Sequence, residues 1–211
     1  ELSQESQRGG IIDCLQYKGG RISHWCHRFI NEWFDFVGGP ELGEFFFHII
    51  TNTTPLTGDE IGKAAAVLGS DGMRYGDIRI AQGGILEWIF KLNGNLAFAT
   101  WHTVNLPLTG RHTRENWPLV MHEVTHVYQY EHVGTRYLGE AIYMLIKTKR
   151  DCYNYGFIEG LVTAVVNGKT YRDHNREQQA MIVQDYCTLT ERGDETSAYE
   201  PFLTQLRTGD L

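Results

Sequence analysis

Residues 122–126 read His122-Glu123-Val124-Thr125-His126, within a stretch that runs from Asn116 to Tyr130. Asn116 is a helix-capping residue type, Pro118 suits a first turn and Gly134 suits a stop, which together predict a helix to about His132. On that helix His122 and His126 lie one turn apart and share a face. Two imidazoles so placed can hold one zinc ion at ~2.0–2.1 Å. Glu123 projects beside them, positioned to act as general base on a metal-activated water. Val120, Val124 and Val127 predict an apolar face apart from the histidines. The plain alternative is a pair of surface or capped core histidines. Composition, however, gives only roughly 0.03 chance matches to His-Glu-x-x-His in a chain of this length.

A catalytic zinc takes three protein ligands and keeps one position open. The candidates downstream are His132, Glu140, Glu159, His174 and Glu177. His132 follows His126 on a poorly matched face, and His174 reads as a loop histidine ahead of a helix. Glu140 lies near the start of a helix predicted over Leu138–Lys149. Glu177 lies in the first turn of a helix that Asn175 caps, with Gln178 in capping-box position, predicted to run to about Leu189. Small Ala180, on the same side as Glu177, would let that carboxylate approach a metal. The helix dipole alone also favours an acid there. Spacing leaves both Glu140 and Glu177 open.

Outward from this centre the chain reads as α+β. Amphipathic spacing predicts a helix over Ile22–Phe36, and Thr57 to Asp59 precede a short helix over Glu60–Leu68. Asp77–Ala81 reads as a strand. Ile85–Leu92 and Leu96–Trp101 flank Asn93-Gly94-Asn95, a hairpin signal, and strand character continues through His102–Leu106. Gly156–Val166 reads as a further helix. The plan is a small antiparallel sheet followed by a helical half.

The chain has 211 residues, 42% hydrophobic and 21% charged, so it can bury a sizeable core. Its net charge of −7 argues against a nucleic-acid partner held by phosphate contacts. No apolar run approaches the ~20 residues of a membrane span. Cys14, Cys26, Cys152 and Cys187 form no Cys-x-x-Cys pair and read as buried thiols. No secretory leader pattern is present. Leu106-Pro107-Leu108-Thr109-Gly110 matches a sorting signal of the Leu-Pro-x-Thr-Gly type, but it is internal with no apolar tail and reads as a loop. Asn52-Thr53-Thr54 fits a glycosylation acceptor without a secretory context to support it.

Residues 116–130 resemble the active-site helix of bacterial zincin-like metallopeptidase domains found with contractile injection systems and polymorphic toxins. Those domains show His-Glu-x-Thr-His followed by a hydrophobic residue and Gln, as in His126-Val127-Tyr128-Gln129. The run from Thr57-Gly58-Asp59-Glu60-Ile61 to Asp77-Ile78-Arg79-Ile80 resembles their upstream segment. Tyr153-Asn154-Tyr155, Gly168-Lys169 and Asn175-Arg176-Glu177-Gln178-Gln179-Ala180 resemble their downstream run. The likeness covers roughly residues 56–190. It implies a zincin-like domain over 56–211, preceded by an aromatic-rich extension over 1–55. Glu177-x-x-Ala180 also looks like the third-ligand helix of the small gluzincins, which implies Glu177 as third ligand and Glu140 as runner-up.

The function implied is a zinc metallopeptidase that cleaves a peptide or protein substrate, a bacterial effector or toxin secreted without a classical signal peptide. A secretion apparatus or an immunity protein would be its partner. A zincin-like module that only binds is the competing reading; an intact Glu123 favours the enzyme. Tyr153, Tyr155 or His174 would supply an oxyanion donor. Asp185 or Glu140 would accept from the histidines. His102–Leu106 would be the strand on which an extended peptide pairs.

Overall fold

In the computed structural model the described residues are 53–83, 90, 96–134 and 152–211. The helices expected over Ile22–Phe36 and Leu138–Lys149, the Asn93-Gly94-Asn95 turn, Cys14, Cys26, Asn52 and Glu140 lie outside them. The elements in chain order are β1 (Thr53–Pro55), α1 (Gly58–Leu68), a 3-10 turn (Tyr75–Asp77), β2 (Arg79–Gln82), β3 (Phe98–Thr100) and β4 (Thr103–Leu106). Then follow α2 (Trp117–Val133), α3 (Phe157–Val166), a second 3-10 turn (Tyr171–Asp173), α4 (Arg176–Arg192) and α5 (Glu200–Arg207). The plan is α+β, a small sheet and then helices.

The sheet order is β1-β2-β4-β3. β1–β2 and β3–β4 are antiparallel, but β2 and β4 run parallel, with Ile80 opposite Val104. The sheet is therefore mixed, not antiparallel as the sequence suggested. The reason lies in the hairpin. Thr100 pairs with Thr103, so Trp101-His102 is the turn, and Trp101 takes the left-handed φ of +50° that a tight hairpin turn demands. No glycine or asparagine marks that turn. Phe90, in the stretch expected as the first hairpin strand, is helical and packs 5.5 Å from the Phe98 ring.

Side-chain caps fix the starts of two helices. Thr57 and Glu60 form a reciprocal capping box on α1, and Asn175 and Gln178 form one on α4. Asn116 holds the cap position of α2 through its backbone, while its side chain donates to the Arg111 carbonyl. α4 extends three residues past the expected end, to Arg192, where Gly193 closes it. α5, which sequence patterning did not pick out, buries Phe202, Leu203 and Leu206.

α2 is the axis of the fold. It packs most extensively on α4 and also touches β3, β4 and α1. Every residue from Pro118 to Gln129 is buried. The valines face the core as expected, but the histidine face is covered too, by α4. Arg114 locks the approach to α2. Its guanidinium donates to both Glu60 carboxylate oxygens at 2.8 and 2.6 Å, to Thr54 Oγ1 at 2.8 Å and to the Pro55 carbonyl at 3.0 Å. Leu106 is fully buried in β4, which removes the Leu-Pro-x-Thr-Gly motif from any external enzyme and supports the loop reading for Leu108–Gly110.

Candidate metal centre

The i, i+4 spacing on α2 sets the His122 and His126 rings 5.0 Å apart, edge to face. α4 crosses them at its first turn. Ala180 and Val183 are fully buried there, as a close approach requires, and Glu177 points at both rings. One Glu177 carboxylate oxygen lies 3.4 Å from His122 Nε2 and 3.4 Å from His126 Nε2. A tetrahedral site with ~2.0–2.1 Å arms has ligand–ligand edges of about 3.3–3.4 Å. The three ligand atoms lie within 4.8 Å of one another, and no other group of three metal-ligating residues occurs among the described residues. Two imidazoles and a carboxylate are a donor set that suits zinc.

The electrostatics follow from burial. Burial opposes charge on His126, but the Glu177 carboxylate outweighs it and lifts the imidazole to about 9. Burial likewise penalises the charge on Glu177, and the histidines overcome it, holding this carboxyl far below its ordinary range. Glu123 is not paired in this way. Burial raises its carboxyl, while the two histidines and the Ala99 backbone N–H act against that rise. A carboxyl raised in this way takes up a proton more readily than an ordinary one.

The other sequence candidates fall elsewhere. His132 stacks on Tyr128 and binds the Tyr128 carbonyl. His174 binds the Thr170 carbonyl and lies edge-on to Phe202. Glu159 is exposed on α3. Of the three oxyanion candidates, Tyr155 donates to Asp185 at 2.6 Å and meets Tyr199, so it is spent. Tyr153 faces the centre, with its ring 6.2 Å from that of His122. Burial raises its phenol, and the charges of Glu177 and Glu123 add to that, so the hydroxyl stays a donor. A short strap holds it there. Asn175 donates to the Cys152 carbonyl at 3.0 Å and Gln178 to the Asn154 carbonyl at 2.7 Å. Beyond the strap the chain turns so tightly that a Cβ at Gly160 would sit 2.1 Å from the Tyr155 carbonyl oxygen.

Two expectations are corrected. Asp185 does not accept from a ligand histidine, since Tyr155 holds it. Gln129 takes that place, its Oε1 2.8 Å from His126 Nδ1. β4 is an interior strand flanked by β2 and β3, so no peptide can pair along His102–Leu106. Among the described residues the sheet edge beside α2 is β3. One residue near the centre escaped the sequence reading altogether. His112, on the loop before α2, accepts the Ala97 N–H through Nδ1 at 3.2 Å. Burial lowers its pKa, and the charge of His122 acts in the same direction. A neutral imidazole on a loop carries no spacing signal that could have revealed it.

The chain is 29% identical over 166 residues to the type VI secretion system spike protein VgrG2b of Pseudomonas aeruginosa. The match takes in 72% of this chain and 14% of that protein, so this chain spans about a seventh of the relative's length. It is a likeness to a secretion-system component over most of the sequence. No family model matches, and no solved structure matches.

Proposed function

We propose that the protein is a zinc metallopeptidase with a zincin-like domain, acting as an effector delivered by a contractile secretion apparatus. The observation that carries the enzymatic part is the single Glu177 oxygen equidistant from two Nε2 atoms, with Glu123 unspent beside them. The likeness to a type VI spike protein supports the delivery part. His122, His126 and Glu177 would hold the metal. When bound there, zinc supplies Lewis-acid polarisation of a carbonyl and activation of water at neutral pH.

The remaining chemistry belongs to the chain. Glu123 accepts a proton from the attacking water and returns it to the leaving amine. The Ala99 N–H of β3 orients its carboxylate. Tyr153 donates to the oxygen that gains charge as the carbonyl becomes tetrahedral. A substrate would lie beside β3, which packs on α2.

Glu123→Gln is the decisive variant. It keeps shape and the zinc ligands but cannot take the proton. Zinc content should equal that of wild type, and cleavage of an unfolded protein substrate should fall by about 10²–10⁴-fold. A Gln variant that cleaves like wild type would rule out hydrolysis at this centre.

A further inference from the structure

We propose that Gln129 is a positioning residue: its side-chain amide orients the His126 ring and at the same time clamps the first turn of α4, which carries Glu177, against α2. The inference rests on the metal-centre reading above and adds to it a residue that touches neither metal nor substrate.

The direction of every hydrogen bond in this clasp is determined. Tyr171 offers only a carbonyl oxygen, so the Gln179 amide nitrogen must donate to it, at 3.2 Å. Gln179 Oε1 is then an acceptor, and the Arg176 guanidinium, which can only donate, confirms this at 3.2 Å. The same oxygen receives Gln129 Nε2 at 3.0 Å. Gln129 Nε2 donates as well to the Arg176 carbonyl at 3.1 Å. That leaves Gln129 Oε1 to accept, and His126 Nδ1 lies 2.8 Å away. The chain of amides thus requires a proton on His126 Nδ1, which leaves Nε2 as the atom that faces Glu177.

Position makes the clasp more than a satisfied core amide. Gln129 and Gln179 are fully buried, so water cannot replace the bonds they make. Arg176, whose carbonyl is clamped, is the neighbour of Glu177 in the chain. One amide therefore fixes a ligand on α2 and the backbone beside a ligand on α4. A carboxylate at 129 could accept from His126 but would face the Arg176 carbonyl and Gln179 Oε1 as a third acceptor. Only an amide serves both sides. His122 lacks such support, since its buried Nδ1 has no hydrogen-bond partner among the described residues. His126 is thus preset at Nδ1 and Glu177 through the neighbouring backbone, whereas His122 meets Glu177 at Nε2 without a hydrogen-bond partner behind it at Nδ1.

The test is zinc affinity of the full chain, read by competition with a chromophoric chelator, for wild type, Gln129→Met and Gln179→Met. Cobalt absorption in the same three proteins reports ligand geometry. Gln129→Met should weaken zinc about 10–100-fold, as loss of a hydrogen-bond partner to a ligand histidine does. Gln179→Met should weaken it less, and the double variant should fall no further than Gln129→Met, because the two amides act as one unit. Cobalt bands should shift in both single variants. A purely structural amide would lower the melting temperature of metal-free protein and leave affinity and cobalt bands alone. Zinc affinity in Gln129→Met within about threefold of wild type, with an unshifted cobalt spectrum, overturns the proposal. If that variant does not fold, unchanged affinity and spectrum in Gln179→Met overturn it equally. Wild type that takes up no zinc overturns the metal centre itself, an outcome read from the wild-type arm alone.

Discussion

Glu177 and Tyr153 owe their places to different signals. Glu177 was visible as an acid in a capped first turn with small Ala180 behind it. Sequence spacing could not separate it from Glu140, because nothing in spacing says which helix crosses α2. The crossing places one Glu177 oxygen 3.4 Å from both histidines, while Glu140 lies outside the described residues. Glu177→Ala should therefore lose zinc far beyond the ~10–100-fold typical of a supporting residue. Chelator competition measures this, and tight retention of zinc in that variant would remove Glu177 from the ligand set. Tyr153 was one of three equal candidates on sequence. Hydrogen bonding distinguishes it, since Tyr155 is bound to Asp185 and His174 to the Thr170 carbonyl. Tyr153→Phe should lower kcat by about 10²–10³-fold, as loss of an oxyanion donor does, with zinc content unchanged. A Phe variant at full kcat would leave the ring as packing only.

Among the elements, helix starts were the most legible, because a capping box is a local device: the Asn175-x-x-Gln178 box forms as its spacing suggests, while an unforeseen Thr57–Glu60 box starts α1 at Gly58, two residues before the expected Glu60. The strands were less so. A hairpin turned by Trp101-His102 depends on the partner strand, not on turn composition, and the parallel β2–β4 pairing is a long-range choice invisible to a local pattern. The uniform burial of α2 also hid its two-sided role. The Glu60–Arg114 pair joins α1 to the segment that leads into α2, and it makes the fold sensitive to acid. Hydrogen bonds from Arg114 hold the Glu60 carboxyl at about 2, against an ordinary 4.5. A depressed carboxyl stabilises the fold above its unfolded value. Its contribution is thus full above pH 4.5 and is lost as pH falls from there towards about 2. Glu60→Gln should cost about 1–2 kcal/mol at pH 7, the shift being discounted for the solvent that reaches the pair. Urea unfolding of both proteins at pH 7 and pH 3 checks the sign. The gap between them should shrink at pH 3, and an equal gap at both pH values would mean that the ion pair is not its source.

At the scale of the whole molecule, the centre is made of side chains from α2 and α4, two helices whose mutual packing is the largest contact in the described fold. Both helices are braced in turn, α4 by the second 3-10 turn, which is itself tied to α5, and α2 by α5 directly. Tyr171 donates to the Gln179 carbonyl, its N–H binds Gln205, and Tyr128 donates to the Leu206 carbonyl. The ligand set exists only when this packing is complete, so an unfolded chain offers no equivalent site. On the proposed function, metal uptake should then stabilise the fold by mass action. With free zinc at a thousandfold excess over Kd the gain is about 4 kcal/mol. For a domain of this size that raises Tm by about 8–16 °C. Wild type and Glu123→Gln should show the same rise, because the role proposed for Glu123 is that of a base and not of a ligand. His126→Ala should show almost none. Thermal denaturation with and without zinc tests all three, and a Tm of wild type indifferent to zinc would contradict a ligand set shared between two packed helices.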